Sequence, residues 1–255
     1  MLNKKIISIL LMLSIAFSLQ SAYKTNQYMK VVDVKGKVKI SSQKAIVKPA
    51  RNGDLLFTKD NISTENNSSL TSYLESNNIF KVKENSSLNI DESYDKTGNT
   101  KLTLDNGDFL IAASSNAKAD SITVLTSNAS IKVSGAAAIS YTNGNTKAQF
   151  LCGEGEVNGT KVAQFTEVNI DNSNKLSTKD IELNEEFENN IIEVTSMPYV
   201  ETIIPEASNM ADVKNYYEKY NNKTISETNT EAASIDYVGN TNENRTTLII
   251  TNETK

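Results

Sequence analysis

Asn52 to Ser69 reads NGDLLFTKDNISTENNSS, and this stretch decides the fold. Gly53-Asp54 marks a turn, Leu55, Leu56 and Phe57 form a short apolar run, and Asp60 marks a second turn. Ile62-Ser63-Thr64 comes next, then a polar loop ending in Ser68-Ser69. Glycine reaches backbone angles closed to other residues, and the Asp54 and Asp60 carboxylates can bond their own local backbone. The pattern predicts a strand held between two defined turns. It carries no catalytic chemistry.

On both sides of this stretch the sequence has period two. Val32, Val34, Val38 and Ile40 alternate with polar residues, as in a half-buried strand. Leu70 with Leu74, Ile79 to Val82, Leu88 with Ile90, Leu102 with Leu104 and Phe109 with Ile111 continue the theme. Ile122 with Val124, Ile131 with Val133 and Ile139 with Tyr141 complete it. Runs about eight to twelve residues apart fit a sandwich or barrel rather than alternating strand and helix. Asn106-Gly107, Asn143-Gly144 and Asn158-Gly159 each sit between apolar runs, with Gly98-Asn99 as a further candidate. Asn-Gly is the strongest short hairpin signal, because both residues tolerate the positive φ of a type I′ turn. The expectation is an all-β fold: a single compact β-sandwich or β-roll of many short strands and hairpins over residues 28–170.

Residues 171–255 read as a C-terminal extension. NIDNSNKLSTKD (169–180) has the composition of a polar linker. Leu183, Phe187 and Ile191 then share one face of a short helix starting near Asp180. Met197-Pro198 and Pro205 break the chain beyond that helix, and Val213, Tyr216, Tyr217 and Tyr220 suggest a second short helix. The three tyrosines suit either helix packing or a contact face. Asn221 to Arg245 offers little to bury and reads as disordered. RTTLIIT (245–251) reads as a late strand, which either returns to an edge of the sheet or pairs with a partner.

At the other end, Lys4 and Lys5 precede an apolar core from Ile6 to Phe17, with small residues after it at Ser18, Ser21 and Ala22. Basic start, short apolar core and cleavage zone are the parts of a secretory signal peptide, here residues 1–22. Ala16 and Ser18 suit the -3 and -1 positions before cleavage, with cleavage after Ala22 as the alternative. The core is short for a membrane span, and no cysteine near the cleavage zone supports a lipid anchor. The mature chain is therefore expected to be periplasmic or secreted, with no stable membrane span.

Composition narrows the chemistry. A formal net charge of -5 argues against a nucleic-acid partner. The chain has no histidine, which removes the commonest general base and zinc ligand, and no tryptophan. Its one cysteine, Cys152, lies in the apolar run Phe150-Leu151-Cys152 and reads as a small buried hydrophobe. Asp91, Glu92 and Asp95 before Gly98 and Asn99 are rich in oxygen but miss the spacing of a calcium loop. They read as a solvated acidic turn. Glu154/Glu156 and Glu185/Glu186 lack any sign of the two-carboxylate geometry of a glycosidase. No G-x-S-x-G motif is present, and no histidine can activate a serine. No catalytic residue, metal site or cofactor is expected.

Several short motifs lie in a telling order. Val34-x-Gly36-x-Val38 precedes Gly53-Asp54-x-Leu56 through Asp60-x-Ile62-x-Thr64, and then comes Asn85-Ser86-Ser87-Leu88-Asn89-Ile90. Leu102-x-Leu104-x-x-Gly107-x-Phe109 is next, then Ile122-x-Val124-x-Thr126 and Ala129-x-Ile131-x-Val133-x-Gly135, and finally Gly153-Glu154-Gly155-x-Val157. In this order, from Val31 to Val168, they resemble the FecR-type extracytoplasmic β domain of bacteria. Two positions depart from it: Ala136 stands where threonine is usual and Ser134 where arginine is frequent. The best-known members carry a cytoplasmic segment and a membrane helix and control a sigma factor, whereas a signal peptide precedes the domain here. The resemblance implies a non-catalytic envelope module that binds a protein or a glycan. Its motif residues Gly36, Gly53, Asp54, Asp60, Ile62, Thr64, Leu102, Leu104, Gly107, Gly135 and Gly155 are expected to serve the fold. Sparse aromatics, 7% of residues, favour a protein partner over a carbohydrate.

Overall fold

A computed structural model describes residues 29–43, 46–74, 78–93, 99–114 and 122–220. The expected signal peptide, Asp95, Gly98, the polar stretch after Asn221 and the late strand at 245–251 lie outside the described residues. The chain divides into two units, residues 1–216 and 217–255. Of the second, residues 217–220 are described; they are helical, and Lys219 Nζ lies 5.3 Å from the centroid of the Tyr220 ring.

Among the described residues one sheet of fifteen strands forms, most of them carrying alternating apolar residues. β1 (Met29–Lys35) pairs with β4 (Leu55–Leu56) and β6 (Ser69–Leu74); β6 leads to β7 (Asn78–Val82) and β7 to β9 (Thr100–Ala113). From β9 the sheet runs through β10 (Ile122–Leu125), β11 (Ser130–Thr142), β12 (Asn145–Val157), β14 (Thr166–Ile170) and β15 (Leu176–Asp180). The short β13 (Thr160–Val162) pairs with β12. A side row of β3 (Val47–Pro49), β2 (Val38–Ser41), β5 (Asn61–Thr64) and β8 (Ser87–Glu92) joins at β9. The all-β class is as expected, and the sheet does not close into a barrel. β9 is the hub. Its first half pairs with β8 and, in parallel, with β10; its second half pairs with β7 and β11.

Two Asn-Gly pairs make the expected hairpins. Asn143 and Gly144 have φ of 51° and 81°, and Asn158 and Gly159 have 50° and 83°, joining β11 to β12 and β12 to β13. The hairpin expected at Asn106-Gly107 is absent. There β9 runs straight through for 14 residues, and only Gly107 has a positive φ, 99°. The glycine serves a close approach instead: a Cβ on Gly107 would lie 2.6 Å from Ser86 Cα. The runs at Ile131 and Ile139 likewise merge into one strand, β11, through Gly135.

One face of the sheet encloses the main core. Val31, Ile40, Ile62, Leu88, Leu102, Leu104, Phe109, Ile131 and Phe150 are all sealed from solvent within it. Each such side chain contributes about 1.5–3 kcal/mol of transfer free energy. The other face is covered as well. Phe109 to Ala113 and Ala148 to Cys152 are buried at every position rather than at alternate ones, the pattern of strands enclosed on both sides.

The cover is helical. α1 (Glu185–Thr195) is capped by Asn184, whose Oδ1 accepts the Phe187 N–H, and buries Phe187, Ile191 and Val194. α2 (Val200–Ile203) and α3 (Ala207–Met210) come after it, burying Val200, Ile203 and Met210. α1 packs on β9 and β12, α2 on β7 and β9. The helix thus begins after Leu183, later than its apolar spacing suggested. The run 169–180, expected as a linker, forms the β14–β15 hairpin. β15 is exposed at all five positions and held through its backbone, so no apolar alternation announces it.

Candidate functional site

The motif residues gather around two copies of one device. Gly36 lies against Ser68, and Ser68 Oγ accepts the Lys37 N–H at 2.8 Å. Gly107 lies against Ser86, and Ser86 Oγ accepts the Asp108 N–H at 2.9 Å. Each serine hydroxyl also donates two residues back, to Asn66 O at 3.1 Å and Glu84 O at 2.9 Å. The residue before each serine, Asn67 or Asn85, has a φ of 53° or 54°. Behind the geometry stands an internal repeat, ENNSSL at 65–70 and KENSSL at 83–88, a signal in the sequence that the strand pattern alone does not bring out. Thr64 ties one copy to the other: its Oγ1 donates to Lys83 O at 2.6 Å and accepts the Ser86 N–H at 2.9 Å.

The remaining motif residues hold turns and core. Gly53 and Asp54 form the first turn, where Asp54 accepts the Arg51 N–H at 2.9 Å and pairs with Lys48 at 2.8 Å. Asp60 forms the second by accepting the Phe57 N–H at 2.9 Å. The strand between them is shorter than expected, since Leu56 is buried while Leu55 and Phe57 are exposed. Ile62, Leu102 and Leu104 are core. Gly135 faces Gly153 across β11 and β12, and a Cβ on Gly155 would strike the Phe150 ring.

The acidic candidates do not converge. Asp91 accepts the Thr103 hydroxyl, Glu92 pairs with Lys101 at 3.0 Å, and Glu156 pairs with Lys132 at 3.0 Å. Glu186 pairs with Lys147 across the α1–β12 junction. Among the described residues no acidic, cysteine or histidine group has metal-binding geometry. Cys152 is buried, and desolvation raises its thiol above the ordinary range. Of the three tyrosines, Tyr216 is buried; its hydroxyl donates to Leu151 O at 3.2 Å and accepts from Gln164 at 2.9 Å.

A polar cleft of about 210 Å³ opens where α1 meets the sheet, lined by Lys83, Asp108, Ser140, Lys147, Gln149 and Glu186 among others. Its floor is a buried chain of hydrogen bonds. Asn190 donates to Gln149 Oε1 at 2.9 Å, and Gln149 donates to Glu167 Oε2 at 2.9 Å. Asn169 and Lys179 complete the Glu167 carboxylate at 2.8 and 3.1 Å. Burial pushes the Glu167 carboxyl up, but the bonds from Asn169, Gln149 and Lys179 outweigh it and hold the group below its ordinary value. At the side of the cleft Glu193 on α1 takes Lys81 at 2.8 Å and Lys83 at 2.6 Å. Burial raises the Glu193 carboxyl too, and the two lysines again hold it low. Glu186 and Glu193 on α1 are thus both engaged in seating the helix on the sheet.

Part of this architecture is similar to a known family. The profile of the family described as FecR protein matches residues 60–158. Residues 60–158 are thus similar to a FecR domain. The match holds Asp60, Ile62, Thr64, Leu102, Leu104, Gly107, Gly135 and Gly155; Gly36, Gly53 and Asp54 precede it. No curated protein matches the chain. Two crystal structures of a candidate anti-sigma factor from Parabacteroides distasonis, at 1.65 and 2.50 Å, are similar at 12% identity and a TM-score of 0.44. The likeness spans 50% of this chain and 63% and 62% of those chains, and at that level it carries no functional weight.

Proposed function

We propose that the protein is an exported, non-catalytic binding module whose FecR domain acts as an envelope sensor or scaffold through protein contacts. The observation that carries this reading is the FecR match over residues 60–158. The motif side chains support it by their use: Thr64 and Asp60 hold backbone, while Ile62, Leu102 and Leu104 fill the core. The N-terminal pattern around Lys4, Lys5 and Ile6 to Phe17 supports export.

A second reading, a carbohydrate-binding surface, has one observation in its favour. Asn61, Asn89 and Asp105 lie side by side on β5, β8 and β9, with Asn61 donating to Asn89 at 2.8 Å and Asn89 to Asp105 at 2.5 Å. Such a row presents amide and carboxylate groups to hydroxyls.

Expression of the full chain in a bacterial host, with fractionation and N-terminal sequencing, tests export. A mature start between Leu19 and Tyr23 outside the cytoplasm is expected, and a cytoplasmic protein retaining Met1 overturns it. Crosslinking of the mature protein in its own envelope then separates the readings: a specific protein adduct supports the first, retention on purified envelope glycan the second.

A further inference from the structure

We propose that the free edge of β3 receives an added strand from an acidic, partly apolar segment of a protein partner. The proposal rests on the reading as a protein-binding module and names the surface and the chemistry of what it binds.

Among the described residues β3 is hydrogen-bonded to β2 alone, and all three of its residues are exposed. The pairing decides which backbone groups are free. Ser42 N–H bonds Ile46 O at 3.0 Å and Ala50 N–H bonds Val38 O at 2.9 Å, so Ile46 and Ala50 turn their polar groups toward β2. In an antiparallel pair this alternates residue by residue, so Lys48 also faces β2 while Val47 and Pro49 face outward. The open edge therefore presents the Val47 N–H, the Val47 carbonyl and the Pro49 carbonyl. These three groups suit one short incoming strand.

The side chains around the edge specify the partner. Four of the seven exposed large hydrophobics of the described chain lie between residues 46 and 57: Ile46 at 59%, Val47 at 60%, Leu55 at 38% and Phe57 at 47%. Of these, Val47 lies on β3 itself and Ile46 directly precedes it, so the edge offers apolar side chains to an incoming strand. The charge is equally local. Between Val34 and Gly53 the sequence has six Lys or Arg residues and no Asp or Glu, in a chain of net charge -5. The two neighbouring acids are Glu65, 3.1 Å from Lys39, and Asp54, 2.8 Å from Lys48; exposed pairs of this kind are weak and exchange readily. Lysine and proline on a short edge strand repel a second copy of the same edge. The same lysines attract an acidic strand, so the device that prevents self-pairing also selects the partner. A purely anionic polymer would leave Ile46 and Val47 unused, and a lipid surface would leave the outward backbone groups of Val47 and Pro49 unpaired.

The test uses the mature full-length protein and two octapeptide probes, one alternating glutamate with valine and one alternating lysine with valine. Binding is read by calorimetry, and amide exchange is read at Val47. The glutamate peptide is expected to bind, to weaken as salt rises, and to protect the Val47 amide. Val47→Pro removes the outward N–H and is expected to abolish binding with an unchanged melting temperature. Lys48→Glu is expected to weaken it by about tenfold, the equivalent of about 1.4 kcal/mol. Equal binding of both peptides, absence of protection at Val47, or full binding by Val47→Pro each overturns the proposal. Association with phosphatidylglycerol vesicles that survives Val47→Pro would instead assign the basic stretch to a lipid surface and also overturn it. A partner crosslinked in the envelope equally by wild type and Val47→Pro would leave the binding-module reading standing while this edge is rejected.

Discussion

Gly107 sits directly over Ser86, so that an added Cβ would lie 2.6 Å from Ser86 Cα, while the Ser86 hydroxyl accepts the Asp108 N–H at 2.9 Å. The contact pins the middle of β9 to the start of β8, where the hub strand passes from one set of partners to the other. Gly107→Ala adds both a clash and strain at a φ of 99°, for an expected loss of about 3 kcal/mol or more. Gly159→Ala is the control: it has positive φ but nothing within 4 Å, and about 1 kcal/mol is expected. Denaturant unfolding of both variants measures the difference, and equal losses would show that the approach to Ser86 does not matter.

Asn190 and Gln149 bring helix and sheet together through one buried hydrogen bond. Asn190→Ala leaves the Gln149 carbonyl oxygen without that donor, at a cost of about 1–3 kcal/mol. The loss should appear as faster amide exchange along α1 before β9 and β12 are affected. Uniform acceleration through the sheet would mean that helix and sheet unfold as one unit.

Glu193 and Glu167 make this seating sensitive to acid. Both carboxyls are held below their ordinary value of 4.5, so both stabilise the folded state fully above that pH. The contribution is lost as pH falls through the lowered folded values. Thermal melts from pH 7 downward should therefore show a stability loss beginning below about pH 4.5. Glu193→Gln should melt lower at pH 7 and show a shallower acid limb, and an acid limb parallel to that of wild type would remove Glu193 from the account.

The helices also bear on where the folding unit ends. Residues 23–170 retain the main core but lose β15 and α1 to α3, exposing the second face at Leu110, Ala112 and Leu151. Residues 23–220 keep that face covered. The longer fragment is expected to melt cooperatively and the shorter one to aggregate or bind hydrophobic dye. A cooperative melt of residues 23–170 at the same temperature would place the boundary at Ile170.

Alternation such as Leu102, Leu104 or Ile131, Val133 declares which side chains face the core, because a strand has period two whatever it pairs with. The all-β class and the β11–β12 and β12–β13 hairpins come from such local signals, since Asn143-Gly144 and Asn158-Gly159 need only local backbone freedom. The same two letters at Asn106-Gly107 mean something else, because Ser86, far away in sequence, occupies the space beside the glycine. β15 could not be read from side chains that are all exposed; its backbone pairing with β14 created it. The second buried face was half legible: FLIAA and AQFLC show that both sides of the sheet are covered, but not by what. Which helix seals them depends on Lys81 and Lys83 meeting Glu193 and on Gln149 meeting Asn190, contacts between residues 41 to 112 positions apart. Local periodicity determines which residues are buried. Only the folded chain decides what they are buried against, because long-range partners are selected by shape and charge that no short window of sequence contains.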